Sequence, residues 1–442
     1  VLGEYRIEGR RAAEIAASVE RAVGAGELEP GQLLPPMREL AGELGVNPNT
    51  VASAYRILRE RGVIETDGRR GSRVRSKPAT TGREYARMDV PEGVRNVASG
   101  NPDPALLPSL AKAFTEAAEQ ADREPVLYGD ALVEPELARV ARAELDADGV
   151  PDGPLTVASG SLDAVERVLA AHLKPGDTVA VEDPGWGSLL DLIPALGLRT
   201  APVRVDDEGP LPDDVRRALE SGARALVVTD RAQNPTGAAV TAARARALRA
   251  VLRDHPEILL IEDDHGHGIV DLPLHPLAGP TRHWAFVRSV AKAYGPDLRL
   301  AVLTGDPVTV DRVTGRHRLG PGWLSRITQR AVVGLWTDDA HDTRAVAAAY
   351  RTRRDRLIDA LARRGVEAHG RSGLNVWIPV PDETAAVSRL LHAGWAVAPG
   401  ARFRMNAPAG IRVTVSTLGL EEIDSLADAV ADTFRRPWAS SV

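Results

Sequence analysis

Ser289, Lys292 and Arg299 stand in the order S-x-x-K-x-x-x-x-x-x-R, just after an apolar strand-like run, Trp284-Ala285-Phe286-Val287. Lys292 is one of few lysines in an arginine-rich chain. A lysine amine held at a strand end can form a Schiff base with an aldehyde. A serine three residues before it and an arginine seven after it can hold a phosphate. Pyridoxal 5′-phosphate (PLP), an aldehyde that carries a phosphate ester, answers to that combination. An exposed loop lysine near an unrelated arginine would show the same residues, so the surrounding chain has to separate the two readings.

The elements that must position such a site follow one grammar. Leu155–Ala158 reads as a strand and Leu162–Leu173 as a helix; Thr178–Val181 is a strand followed by a helix through Leu189–Leu196. Ala225–Val228 is a strand followed by Ala242–Leu252 as a helix, and Ile258–Ile261 is a further strand. Apolar strands alternating with helices predict an α/β body with a mostly parallel sheet. Ligands of such sheets bind beyond the carboxyl ends of the strands.

Polar residues stand at those ends. Ser159-Gly160-Ser161 opens a helix with hydroxyls and free backbone N–H groups, which suits a phosphate. Trp186, in Glu182-Asp183-Pro184-Gly185-Trp186, could stack on a flat heteroaromatic ring. Asn234, in Asn234-Pro235-Thr236-Gly237, could donate to a phenolate oxygen. Asp263, in Glu262-Asp263-Asp264-His265, could keep a pyridine nitrogen protonated, the electron sink that PLP chemistry needs. Each has a plainer reading as turn, solvated loop or core residue, but five together in this order favour one PLP site. His265-Gly266-His267 could be a metal pair, yet no clear third ligand accompanies it, and no metal is expected.

With these motifs in order, the body resembles the fold-type I aminotransferases over essentially its full length. The resemblance implies that Lys292 is the lysine that bonds PLP, Asp263 the partner of the ring nitrogen and Asn234 that of the ring hydroxyl. It implies that Trp186 stacks on the ring, and that Ser159, Gly160, Ser161, Ser289 and Arg299 hold the phosphate. Tyr128, in Leu127-Tyr128-Gly129-Asp130, matches a tyrosine that reaches the phosphate of a neighbouring subunit, which implies a homodimer. Arg412, in Gly410-Ile411-Arg412-Val413-Thr414, matches the arginine that clamps a substrate carboxylate. Two departures matter. His265 stands where many members have tyrosine, and could still bond the ring oxygen. The segment Ala131–Leu137 lacks the usual glycine and trailing arginine. Both count against full transaminase turnover and neither counts against PLP binding.

The first 75 residues read differently. Residues 51–80 carry eight Lys or Arg against three acids, within a chain of net charge −6. Ile15, Val19 and Val23 give one apolar face to a helix from Arg10 to Gly24. Pro35 and Pro36 open a short helix through Leu44, Gly45 supplies a left-handed stop, and Asn47 and Pro48 start a second helix. Two helices joined by a tight turn form a helix-turn-helix. The second would offer Asn47, Asn49, Thr50 and Ser53, with Arg56 one turn on, to base edges in the major groove. Val63–Thr66 and Ser72–Arg75 form a hairpin whose tip, Asp67-Gly68-Arg69-Arg70-Gly71, could lie along phosphates.

The phrases Gly26-x-Leu28-x-Pro30-Gly31-x-x-Leu34-Pro35-x-x-Arg38-Glu39-Leu40-Ala41 and Gly45-Val46-Asn47-x-Asn49-Thr50-Val51 resemble the winged helix of the GntR regulators. That resemblance implies DNA contacts by Arg38, Asn49 and Thr50. A winged helix fused to an aminotransferase-like body resembles the MocR branch of those regulators. Within it, Val97–Pro104, Asp263-Asp264-His265 and Gly295–Arg299 are similar to regulators of vitamin B6 salvage.

The expected organisation is a DNA-binding domain over 1–75, a linker over 76–95 and a PLP-binding effector domain over 96–442. Some twenty linker residues span at most about 65 Å, enough for a domain-swapped dimer. No eighteen-residue apolar run predicts a membrane span. The start of the chain shows no signal pattern, and the absence of cysteine removes disulfides and thiol chemistry; both fit the cytoplasm. The expected function is a PLP-binding transcription factor on double-stranded operator DNA, with PLP or an amino compound as effector and a pyridoxal kinase gene as a possible target. An active aminotransferase with a DNA anchor is the alternative; a cofactor-free dimerisation body is a third reading.

Overall fold

The computed structural model describes residues 7–434 except 26, 30, 61–62, 67–70 and 75–89. Arg69 and Arg70, and most of the expected linker, lie outside the described residues. The chain divides into two compact units, one containing the N-terminal helices and the other the strands that carry Lys292.

In the first unit α1 (Ala12–Ala25), α2 (Met37–Leu44) and α3 (Pro48–Glu60) enclose Ile15, Val19, Leu40, Val51, Tyr55 and Leu58. Each such side chain taken out of water stabilises the unit by about 1.5–3 kcal/mol. Helix α2 begins at Met37, after both prolines, with Pro36 at its cap. Gly45 ends it at φ 63°, a conformation glycine adopts without strain. Asn47 Oδ1 accepts from the Asn49 N–H at 2.9 Å and caps α3. The Tyr55 hydroxyl donates to Pro35 O at 2.7 Å and ties α3 to the start of α2. Strands β1 (Ile64–Thr66) and β2 (Ser72–Val74) pair antiparallel, and Gln32 and Leu34 add a third edge through their backbone.

In the second unit β3 (Arg95–Asn96) precedes a large sheet made of β4 (Leu155–Ala158), β5 (Thr178–Asp183), β6 (Arg199–Asp206), β7 (Gly209–Pro210), β8 (Ala225–Thr229), β9 (Leu259–Asp264), β10 (His283–Ser289) and β11 (Ala301–Gly305). Their spatial order is β4-β11-β10-β9-β8-β5-β6-β7. Strands β5, β8, β9 and β10 are mutually parallel. Strand β11 runs antiparallel to both β10 and β4, a reversal that the alternation of strand and helix did not reveal. The strands are buried on both faces, which is why they read as unbroken apolar runs.

A smaller sheet is built from β12 (Asn375–Pro379), β14 (Ala398–Pro399) and β15 (Gly410–Thr414), while β13 (Trp395–Ala396) pairs in parallel with β3. Val376, Ile411, Val413, Leu426 and Val430 form its core. This sheet brings Arg412 towards the carboxyl ends of β8, β9 and β10, where a cavity of about 570 Å³ opens. No described helix is long and apolar enough to cross a membrane.

Candidate functional site

The register of the large sheet explains how distant residues meet. Asp263 lies opposite Thr229 on one side and Val287 on the other, so the loops after β8, β9 and β10 leave the sheet at one level. Lys292 follows β10 on the short helix Ala291–Tyr294, and its Nζ donates to Gly100 O at 2.6 Å. The cavity is lined by Lys292, Asn234, Trp186, His265, Gly160, Ser161, Ser289, Arg299 and Arg412, among others.

Residues expected to hold a phosphate adjoin one another. Arg299 adopts a left-handed backbone at φ 44°, and its Nη2 donates to Ser159 O at 2.7 Å. Gly160, at φ 90°, faces this guanidinium: a Cβ there would stand 2.9 Å from Arg299 Nη2. The Ser161 Oγ is buried with no hydrogen-bond partner among the described residues. An orphaned hydroxyl beside a guanidinium and the N-terminus of the helix Ser161–His172 is what an incoming phosphate would satisfy.

Of the residues expected to meet a pyridine ring, Asn234 and Trp186 line the cavity with His265, and Asp263 is buried next to His265. Asp263 Oδ2 lies 2.7 Å from His265 Nδ1, and Asp263 Oδ1 is buried without a partner among the described residues. A protonated ring nitrogen would be a donor for this oxygen. Asn234 Oδ1 accepts from Arg412 Nη1 at 2.8 Å. A guanidinium has no acceptor, so this contact fixes the amide with Nδ2 turned away as a donor. The Trp186 ring lies 6.5 Å from that of His265, tilted by 51°. The residues present therefore fit PLP at its phosphate, its ring nitrogen and its aldehyde.

His265 is placed differently from the sequence expectation. Its Nε2 lies 2.8 Å from Ala232 O, so both ring nitrogens are committed, to Asp263 and to a main-chain carbonyl, and neither is offered to a ring oxygen. The reason is local: His265 lies two residues after Asp263, and the strand-to-loop bend turns it behind that carboxylate. Both partners are acceptors, so an imidazolium donating to each satisfies the pair. Burial opposes this charge, but the Asp263 carboxylate outweighs it through charge and hydrogen bond and raises the His265 pKa. Arg412 is likewise engaged: Nη2 donates to Ala98 O at 2.6 Å, and the guanidinium lies 4.6 Å from the centre of the Phe403 ring. Tyr128 is not brought to this cavity. It is 93% exposed and meets Trp323 edge to face at 5.4 Å.

Behind the site lies a charge network that sequence reasoning missed. Arg231 grips Asp264 with Nε at 3.0 Å and Nη2 at 2.8 Å; Arg288 bonds Asp264 and Asp148. Burial alone would raise the Asp264 pKa, but the two guanidiniums hold it well below the usual carboxylate range. Burial pushes Glu182 and Glu262 up to about 7. His267 accepts from Trp336 Nε1 at 2.7 Å, and burial, helped by Arg288, lowers its pKa to about 3. The network's only trace in the sequence is the unusual density of charge at strand ends. Ala98 and Gly100 carry no side-chain signal, and their contacts with the two cations could not be read from the sequence.

On the first unit, Arg38, Asn47, Asn49 and Arg56 are exposed, and Thr50 and Ser53 are half-buried. Asn49, Ser53 and Arg56 are spaced four and three residues apart and share one face of α3.

Comparisons with known proteins agree with this geometry. The family description "Bacterial regulatory proteins, gntR family" matches residues 11–74, and "Aminotransferase class I and II" matches residues 92–430. The chain is 40% identical to the vitamin B6 salvage pathway transcriptional repressor PtsJ of Salmonella typhimurium, over 97% of this chain and all of that protein. It is 28% identical to the pyridoxine biosynthesis transcriptional regulator PdxR of Corynebacterium glutamicum, over 78% of this chain and 75% of that one. Among solved structures, a mutant aspartate aminotransferase of Thermus thermophilus superposes with a TM-score of 0.68 at 25% identity, covering 78% of this chain and 97% of the other.

Proposed function

The chain belongs to the aminotransferase class I and II family and carries a gntR-family regulatory domain ahead of it, and from that premise we propose that it regulates vitamin B6 genes by sensing PLP. The gntR domain binds DNA, and PLP is the cofactor of the body. The observation that supports the reading is the gathering of Lys292, Asn234, Trp186, Ser161, Ser289 and Arg299 around one cavity, with Asp263 Oδ1 and Ser161 Oγ lacking partners among the described residues, in a chain whose α3 presents polar residues on an exposed face. Similarity to PtsJ along almost the whole chain supports a repressor of vitamin B6 salvage, with a pyridoxal kinase gene as target.

Each residue has a role in this reading. Ser161, Ser289, Gly160 and Arg299 bind the phosphate and set the depth of the ring. Asp263 holds the proton at the ring nitrogen, with His265 fixing the carboxylate from behind. Asn234, oriented by Arg412, donates to the ring oxygen, and Trp186 covers the ring face. When bound, PLP supplies an aldehyde for the Lys292 amine and a ring able to withdraw electrons. Arg412 holds Asn234 and Ala98 O with two of its five N–H donors, so an effector carboxylate could add to those bonds or replace them.

Homodimerisation belongs to the same proposal. Leu127, Tyr128 and Leu319 are exposed apolar side chains, which suit a subunit interface, with Tyr128 directed to the partner's cup. Asn47, Asn49, Thr50, Ser53 and Arg56 read bases and Arg38 contacts phosphate. The domain limits of 1–75, 76–95 and 96–442 complete the proposal.

The test is the visible absorption of the protein after PLP addition and removal of excess, beside Lys292→Ala, followed by binding to promoter DNA of a pyridoxal kinase gene with and without PLP. A retained band in the wild type alone, with DNA affinity that changes on PLP addition, is the expected result. Sustained amino-group transfer to a keto acid, with DNA affinity indifferent to PLP, would establish the enzyme instead.

A further inference from the structure

The chain enters the body through residues 90–103, and this stretch is fastened at both ends. At the first end Arg95 and Asn96 pair with Trp395 and Ala396, Arg95 Nε bonds Glu422 at 2.8 Å, and the Thr414 N–H donates to Val97 O at 2.8 Å. At the other, the Asp103 N–H donates to the Tyr350 hydroxyl at 2.9 Å and Arg353 Nη1 bonds Asp103 Oδ2 at 2.9 Å. Between these anchors Ala98–Asn101 runs along the cavity wall, with Ser99 and Asn101 exposed. Two cations hold this middle part: Arg412 Nη2 on Ala98 O and Lys292 Nζ on Gly100 O, both at 2.6 Å.

We propose that Ala98–Asn101 is a strap whose release by cofactor binding is the signal that the body sends towards the DNA-binding domain. This rests on the reading of the cavity as a PLP sensor and assigns its regulation. The chemistry is specific. The Lys292 amine attacks the aldehyde carbon, a carbon–nitrogen double bond forms, and the carbonyl oxygen leaves as water with two hydrogens from the original ammonium. Nζ, which had three N–H donors, keeps at most one, in the plane of the new bond. Gly100 O loses its ammonium donor. Gly100 reinforces the coupling because it abuts Arg412, where a Cβ would stand 3.3 Å from both terminal guanidinium nitrogens. The strap directly follows the Arg95–Val97 anchor, so its release reaches the linker by loosening that anchor.

Two substitutions at one position test this. Neither Lys292→Ala nor Lys292→Arg can bond the aldehyde, so a sensor without a strap would leave both in the cofactor-free state. Under the proposal they diverge. Amide hydrogen exchange of a peptide spanning 97–102 in the full chain should quicken about tenfold or more when PLP bonds the wild type. Lys292→Ala should show that fast exchange without PLP and bind the promoter as the PLP-loaded wild type does. Lys292→Arg, which keeps a donor for Gly100 O, should stay slow with or without PLP and bind as the cofactor-free protein does. If PLP gives its absorption band while exchange at 97–102 is unchanged, or if the two variants behave alike, the strap is refuted and the sensor reading survives. If no band forms in the wild type, the sensor reading itself falls and the strap with it.

Discussion

His265 offers the sharpest test of the site's electrostatics. Its ring is 15% exposed at the side chain and bridges Asp263 Oδ2 and Ala232 O at 2.7 and 2.8 Å. Replacing it by phenylalanine strands a buried carboxylate and a carbonyl together. Breaking a buried ion pair by removing one partner costs about 3–5 kcal/mol; the slight exposure of this ring places the expected cost at the lower end of that range. His265→Asn keeps one neutral donor for Asp263 and should cost less, about 1–2 kcal/mol. The pH dependence has a definite sign. The His265 pKa is raised above 6.5 in the folded chain, so its extra stabilisation is complete below 6.5 and is lost as pH rises through the folded value. Urea denaturation of the cofactor-free body, followed at several pH values, should show the gap between wild type and His265→Phe widest below pH 6.5 and narrowing above it. The asparagine variant should lack that slope. A gap that stays constant across the range, or that widens with alkali, would refute an imidazolium at this position.

Other perturbations separate binding from folding. Ser161→Ala removes a hydroxyl that has no partner among the described residues, so thermal stability should be unchanged or slightly higher while the dissociation constant for PLP rises about five- to tenfold, or about 1–1.4 kcal/mol; an unchanged constant would remove Ser161 from the cup. Asp264→Asn should destabilise the body by about 3 kcal/mol at neutral pH. Because the Asp264 pKa is lowered from 3.8 on folding, that difference should shrink as pH falls below 3.8 towards the folded value, as acid titrations of the two proteins would show. Arg38→Ala should weaken DNA binding at every sequence and reduce the salt slope by about 1, whereas Asn49→Ala should alter base preference at one position. Anisotropy titrations on matched and mismatched promoter fragments distinguish them, and equal effects on all fragments would move Asn49 to the phosphate class.

Much of this protein is legible in one dimension because the responsible physics is local. Proline and asparagine at the start of a helix, a glycine at its end and apolar residues four apart place α1 to α3, although α1 starts at Ala12 rather than Arg10 and α2 at Met37, after both prolines. Strands buried on both faces announce themselves as apolar runs, and in a parallel sheet the loops that follow these runs face the ligand. For that reason Asn234, Asp263 and Lys292 could be singled out without coordinates. The antiparallel β11 escaped because a strand's direction leaves no mark on its composition.

What only the tertiary structure decided is how those groups are already occupied. A side chain's type states what it can donate or accept; its partners depend on which backbone the fold brings within 3 Å. His265 could have served a ring oxygen, but the bend after β9 turns it onto Asp263 and Ala232 O. Arg412 could have awaited a carboxylate, but β15 delivers it to Asn234 and to the carbonyl of Ala98. Lys292 was identifiable from its neighbours in sequence, while its bond to Gly100, 192 residues away, was not. Carbonyl oxygens are the same in every residue, so contacts made through them are invisible in a sequence and appear only when the chain is folded.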